Sequence, residues 1–272
     1  MKVRLTGTML LLLLALVGCK QQQATDTQQF SISESFGRLV IVSEVGDIKI
    51  QSRTDNKTGV DVTAGKFASG CSKNQAQQYL DQIEVTYAVD NNTCTITVQL
   101  PENQPQYVYG GANLTITGVL GLPLKIDLNV GSIECATMRG GSISNNVGDI
   151  TVAAATGDIE LKTNTGDIEV SDYSGSTFSL RTDVGRVGMH ISDNGTLDGS
   201  ITTGVGDISC GISKNRSAGV ELKTGVGDIT ITGITDYTLS GFISLQASFE
   251  LGAADGHLTM GTGTGDIAVN VF

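Results

Sequence analysis

The sequence predicts an all-β protein wound as a parallel β-helix. This solenoid has two strands per coil of about 20 residues and follows an irregular N-terminal part with one short helix. Three observations predict it. The tripeptide Gly-Asp-Ile occurs seven times, starting at Gly46, Gly148, Gly157, Gly166, Gly206, Gly227 and Gly265. Apolar residues recur two and four places after each Gly, with another residue between them. Glycine supplies 35 of 272 residues, roughly twice its usual ~7% share, whereas proline supplies 3 and tryptophan none.

The repeat justifies the regular coils. Three relatives share its frame: Gly131-Ser132-Ile133, Gly141-Ser142-Ile143 and Gly185-Arg186-Val187. Two places after the Gly stand Ile48, Ile133, Ile143, Ile150, Ile159, Ile168, Val187, Ile208, Ile229 and Ile267, every one β-branched and apolar. Four places after it, only Asn145 is not apolar. This is the period of a half-buried strand. Spacings of 9 residues hold one strand and a turn; spacings of 19 to 21 hold two. Second strands show between motifs in the pairs Phe178/Leu180, Leu197/Ile201, Val220/Leu222 and Leu258/Met260. A hairpin meander gives alternation too, but only stacked coils demand the same side chain at the same place each time. Glycine supplies the corner. Each buried Ile contributes roughly 1.5–3 kcal/mol, so both Ile168→Asp and Ile229→Asp are expected to abolish folding.

Residues 30–119 are less regular. Arg38–Gln51 holds an early motif, Gln75–Ile83 has helical spacing, and Glu84–Val89 and Thr93–Leu100 read as strands. This part is expected to cap the open edge of the coils. The expected layout is therefore a leader over 1–18, a flexible tether over 19–29 and one domain over 30–272, irregular to 119 and regular from 120.

The leader has Lys2 and Arg4 ahead of an apolar run over Met9–Val17, too short to span a bilayer. It ends in Leu16-Val17-Gly18-Cys19, which resembles the bacterial lipoprotein box. The resemblance implies cleavage before Cys19, thioether lipidation of its sulfur, and acylation of its amino group by a fatty acid such as palmitate. Two or more chains anchor a protein stably. Lys20, rather than Asp, after the cysteine implies the outer membrane if the cell is Gram-negative. The expected location is thus the cell envelope, with the membrane as a partner through the lipid. Net charge is −11, and −13 once residues 1–18 are removed, which argues against nucleic acid.

The Gly-Asp-Ile ladder, the short helix after an early β region and the terminal TGDIAVNVF resemble the bacterial "putative adhesin" family, domains of unknown function. The resemblance covers most of residues 30–272 and implies a right-handed parallel β-helix at the cell envelope. Some relatives resemble envelope-stress accessories. It implies no catalytic residues.

Asp47, Asp149, Asp158, Asp167, Asp207, Asp228 and Asp266 form a column. Oxygen-rich corners suit Ca²⁺, but each Asp can equally accept backbone N–H groups in its own turn. At ~4.8 Å, neighbouring carboxylates repel by only about 1 kcal/mol in a water-like dielectric. No metal or other cofactor is therefore expected. Cys135 and Cys210 fall on inward positions, several coils apart. Cys71 and Cys94 are the candidate disulfide of an oxidising envelope. The two histidines, His190 and His257, lack metal-ligand spacing. Thr58–Phe67 is a degenerate phosphate loop, and Gly261–Gly265 precedes a strand rather than a helix. No catalytic residue is identified. The expected function is non-enzymatic surface binding or adhesion, to an unidentified glycan or envelope protein. The alternatives are an envelope-stress accessory and a polysaccharide-acting enzyme, which would need Glu160, Glu169, Asp167 and Arg186 to converge on one face.

Overall fold

The computed structural model describes residues 21–53, 59–103, 105–118 and 121–272; the expected leader and Cys19 lie outside them. Among the described residues the chain forms 22 strands and one helix, Lys73–Leu80. It is all-β, and all its strands but one fall into two runs of neighbours, here faces A and B; Gly195–Thr196 pairs apart from them with Arg216 and Ser217.

Face A carries the strands that follow the glycine corners. Strand Ile48–Gln51 pairs in parallel with the start of Ile133–Val147. The start of Ile150–Thr165, Ile168–Tyr173, Val187–Ile191 and Ile208–Ile212 follow in the same direction. Face B carries the intervening strands, from Arg38–Val45 through Leu124–Val130, Thr177–Val184 and Asp198–Val205. Ile133, Ile150, Ile168 and Val187 stand in one column, each no more than 1% exposed. Outside, Asn164 donates to Asn146, which donates to Asn129, a ladder that only in-register parallel neighbours allow.

Four expectations need correction. First, pairing is mixed. Val60–Gly70 and Gln22–Ile32 are antiparallel additions to face A, and Glu84–Asp90, Leu245–Leu251 and Thr238–Ser240 to face B. Second, coils do not stack in chain order. Ile267–Val271 lies between Ile208–Ile212 and Ile229–Thr232, and Ile48–Gln51 lies between Tyr109–Thr117 and Ile133–Val147. Repeated rungs are interchangeable in pattern, so repetition cannot order them. Third, Ile143 and Ile159 leave the column: Ile143 pairs with Ile126 and Leu161, and Ile159 with Phe178, all on face B. A nine-residue step is half a coil and lands on the opposite face. Fourth, residues 22–29 of the expected tether are strand. Gln22–Ile32 pairs along its length with Val60–Gly70, buries Ala24, and stacks Phe30 on Tyr87 at 5.2 Å. Its polar composition suits an outer strand with one wet face.

The corner explains the glycine. Gly206 has φ +146°, and an added Cβ would lie 1.9 Å from the Gly185 carbonyl of the neighbouring rung. The backbones touch where a side chain would stand. That crowded carbonyl is satisfied from inside. Thr163, Thr182, Thr203, Thr262 and Thr224 donate to the carbonyls of Gly148, Gly166, Gly185, Gly206 and Gly265, at 2.9–3.1 Å. Asn145 does the same for Gly131. Its polar side chain at an expected apolar position is thus a capping group, not a core defect.

At the N-terminal end, Ser72 caps the helix by accepting from the Gln75 N–H. The helix buries Ala76, Tyr79 and Leu80 against the outer strands. Gln28 donates to the Val85 carbonyl at 2.8 Å, joining the outermost strands of the two faces.

Candidate binding surface

The aspartate column serves the rungs first. The carboxylates of Asp47, Asp149, Asp167, Asp207 and Asp266 accept the backbone N–H of Ser132, Asp167, Arg186, Asp266 and Asp228, at 2.7–2.9 Å. Each acceptor reaches the next rung rather than its own turn, which corrects the expected local bond. Asp228 sits on the last rung of face A among the described residues, with no further described rung to hold. Asp158 is outside the column because its corner belongs to face B.

Arg186 replaces Asp within the column and neutralises part of it. Its guanidinium lies 2.9 Å from Asp167. The Arg186 backbone N–H, and then its guanidinium, hold the Asp167 carboxyl below the ordinary carboxylate range against the opposing effect of burial. Asp149, Asp167, Glu169, Arg186 and Asp207 line a shallow groove where Gly188 presents no side chain. Glu160 is on face B, paired with Ser142 and Ser179. The four residues of the enzyme alternative therefore do not share a surface. Among the described residues, no group of three or more His, Cys, Asp or Glu is arranged to hold a metal.

Face B carries a second, less charged depression. Thr202, Gly261, Lys223, Gln246 and Ser240 follow one another across five strands. Beside them run Ser200, Thr259, Glu221, Ser248 and Thr238. Gly261 interrupts the first row, and a Cβ there would meet only the Lys223 carbonyl, at 3.8 Å. The gap opens a cleft of about 520 Å³ lined by hydroxyls, one amide, one ammonium and one carboxylate. It offers hydrogen-bond donors and acceptors at rung spacing, the chemistry of a polar, polyhydroxylated ligand.

Sequence reasoning assigned no binding role to Gly261 and did not single out the threonines three places before five of the corner glycines, Gly166, Gly185, Gly206, Gly227 and Gly265. The signal is the pattern T-x-x-G, which recurs at Thr163, Thr182, Thr203, Thr224 and Thr262. The expected Cys71–Cys94 pairing also differs. Cys94 is a free thiol, 0% exposed, so it does not pair with Cys71. Burial, with a smaller effect of Glu34, raises its pKa to about 11. Cys135 and Cys210 are free and buried on separate rungs.

No family model matches the chain, and no curated protein matches it. Among solved structures it resembles a "putative adhesin" from Bacteroides fragilis, 16% identical with a TM-score of 0.46, covering 90% of this chain and 97% of that one. It also resembles a "putative cell adhesion protein" from Clostridium sporogenes, 14% identical with a TM-score of 0.36, covering 92% and 100% respectively. A third is a "putative lipid binding protein" from Parabacteroides distasonis, 9% identical with a TM-score of 0.36, covering 91% and 96%. These identities and scores are too low to transfer a site or an activity.

Proposed function

We propose that the chain is a non-enzymatic, lipid-anchored protein of the cell envelope. Its rungs form a right-handed parallel β-helix that presents the face-B cleft to a glycan. The cleft carries this proposal. It is open, combines polar with apolar surface, and is framed by side chains that stacked strands hold at fixed intervals, so the scaffold pre-organises donors and acceptors at little entropic cost on binding. The anchor rests on Leu16-Val17-Gly18-Cys19, and the handedness on the family resemblance.

The test is binding of the detergent-solubilised full chain to an array of envelope polysaccharides. Lys223→Ala and Gln246→Ala are expected to weaken binding at least tenfold with unchanged melting temperature. Binding that ignores both substitutions, or release of soluble fragments from the polysaccharide, would contradict the proposal.

A further inference from the structure

The C-terminal end of the stack is unfinished. Strand Ile229–Thr232 pairs with Ile267–Val271 on one side and, among the described residues, with no strand on the other. Its inward residues Ile229 and Ile231 are only half-buried, although their column mates are enclosed. The carboxylates of Asp47, Asp149, Asp167, Asp207 and Asp266 each hold a backbone N–H of the next rung, whereas no described backbone N–H reaches the Asp228 carboxylate. At the same end, the loop and short strand that follow expose Leu239 at 52%, Phe242 at 96% and Ile243 at 72%.

Charge sets this end apart. Of the 21 residues from Ile229 to Phe249, only Asp236 is charged, in a chain with 45 charged residues among 272. The edge also lacks the Lys, Pro or inward charge that ordinarily blocks edge pairing. Two copies of so acidic a chain would repel across most of their surfaces; here they would not. A bilayer does not suit the same surface, because an open strand edge cannot be satisfied by hydrocarbon.

We propose that two copies of this chain join end to end through Ile229–Thr232, paired antiparallel about a two-fold axis at Thr230. That register sets Ile229 opposite the partner's Ile231 on the core side and Thr230 opposite itself outside. It sets Asp228 opposite Thr232 of the partner subunit, so the two carboxylates stay apart. Phe242 and Ile243 then flank the joint and lose their exposure. A two-fold joint uses the same strand of both copies and so is closed by its own symmetry, and assembly stops at the dimer.

The test uses the full-length chain in detergent. Its protein mass is measured by sedimentation, and Thr230→Cys is oxidised alongside Ser209→Cys, an outward position in the middle of the same face. The expected results are a dimer, a disulfide-linked dimer for Thr230→Cys only, and a monomer of unchanged melting temperature for Thr230→Lys. A monomeric wild-type chain, cross-linking equal at both positions, or a dimer that survives Thr230→Lys would overturn the proposal. So would a monomeric wild type whose binding to phospholipid vesicles is lost in Phe242→Ser, which assigns the surface to a bilayer.

Discussion

The two ends of the stack treat the same strand in opposite ways. At the N-terminal end the outermost rung is covered by antiparallel strands and by the helix that buries Tyr79 and Leu80. At the C-terminal end, among the described residues, face A stops at Ile229–Thr232. Ile48 and Ile229 have the same motif position, yet Ile48 is 1% exposed and Ile229 only half-buried. Burial in this fold is conferred by the next rung and is not a property of the isoleucine itself. A residue's energetic weight therefore follows its place in the stack.

The largest effect tests that contrast directly. Ile168→Asp places an unpaired charge between two rungs and is expected to cost more than about 4 kcal/mol, enough to prevent folding. Ile229→Asp reaches solvent at the last rung, so the chain is expected to fold with a loss nearer 1 kcal/mol, against the sequence expectation that both abolish folding. Urea unfolding by circular dichroism compares them, and equal losses would break the contrast. Next comes the corner. Gly206→Ala drives Cβ into the Gly185 carbonyl and is expected to cost about 3 kcal/mol, whereas Gly195→Ala, with φ +98° but no atom within 4 Å, costs about 1 kcal/mol. Thr182→Val leaves the part-buried Gly166 carbonyl without its side-chain donor, an expected loss of about 1 kcal/mol in the same assay.

Smaller effects separate interior from terminal aspartates. Asp149→Ala removes the acceptor of the Asp167 N–H and is expected to cost about 1 kcal/mol; Asp228→Ala, with no rung beyond it, is expected to cost almost nothing in the monomer. The Asp167–Arg186 pair is expected to contribute least, under about 1 kcal/mol, because both side chains are largely exposed. Its pH dependence has a definite sign. The folded Asp167 pKa lies below the unfolded value, so its contribution is full above the ordinary carboxylate pKa and disappears as pH falls through the folded one. Asp167→Asn is expected to flatten the acid side of the stability profile. A steeper acid limb would contradict the pairing.

The sequence made the rungs legible because alternation and a corner glycine each leave a local signature. Ile150, Ile168, Val187 and Ile208 could be aligned by eye, and the helix and the Glu84–Asp90/Thr93–Gln99 hairpin lie where their patterns place them. Three things were not legible. Equivalent rungs carry no record of their spatial order, so the insertion of Ile267–Val271 was hidden. The motif at Gly157 looks like the others but falls half a coil out of phase. Polar strand Gln22–Ile32 resembles a spacer because its partner, rather than its own hydrophobicity, holds it. The candidate site was still less visible, since a cleft made by a missing side chain at Gly261 has meaning only once its neighbours across the strands are known.

Rung order is the claim on which the rest stands, and paired cysteines measure it. Ser209 and Ala268 are direct neighbours across parallel strands, whereas Ser209 and Thr230 are separated by the intervening Ile267–Val271 strand. Mild oxidation is expected to form an intrachain disulfide in Ser209→Cys/Ala268→Cys and none within a chain of Ser209→Cys/Thr230→Cys. The reverse pattern would mean that coils stack in simple chain order, and the arrangement described for the C-terminal end would be wrong.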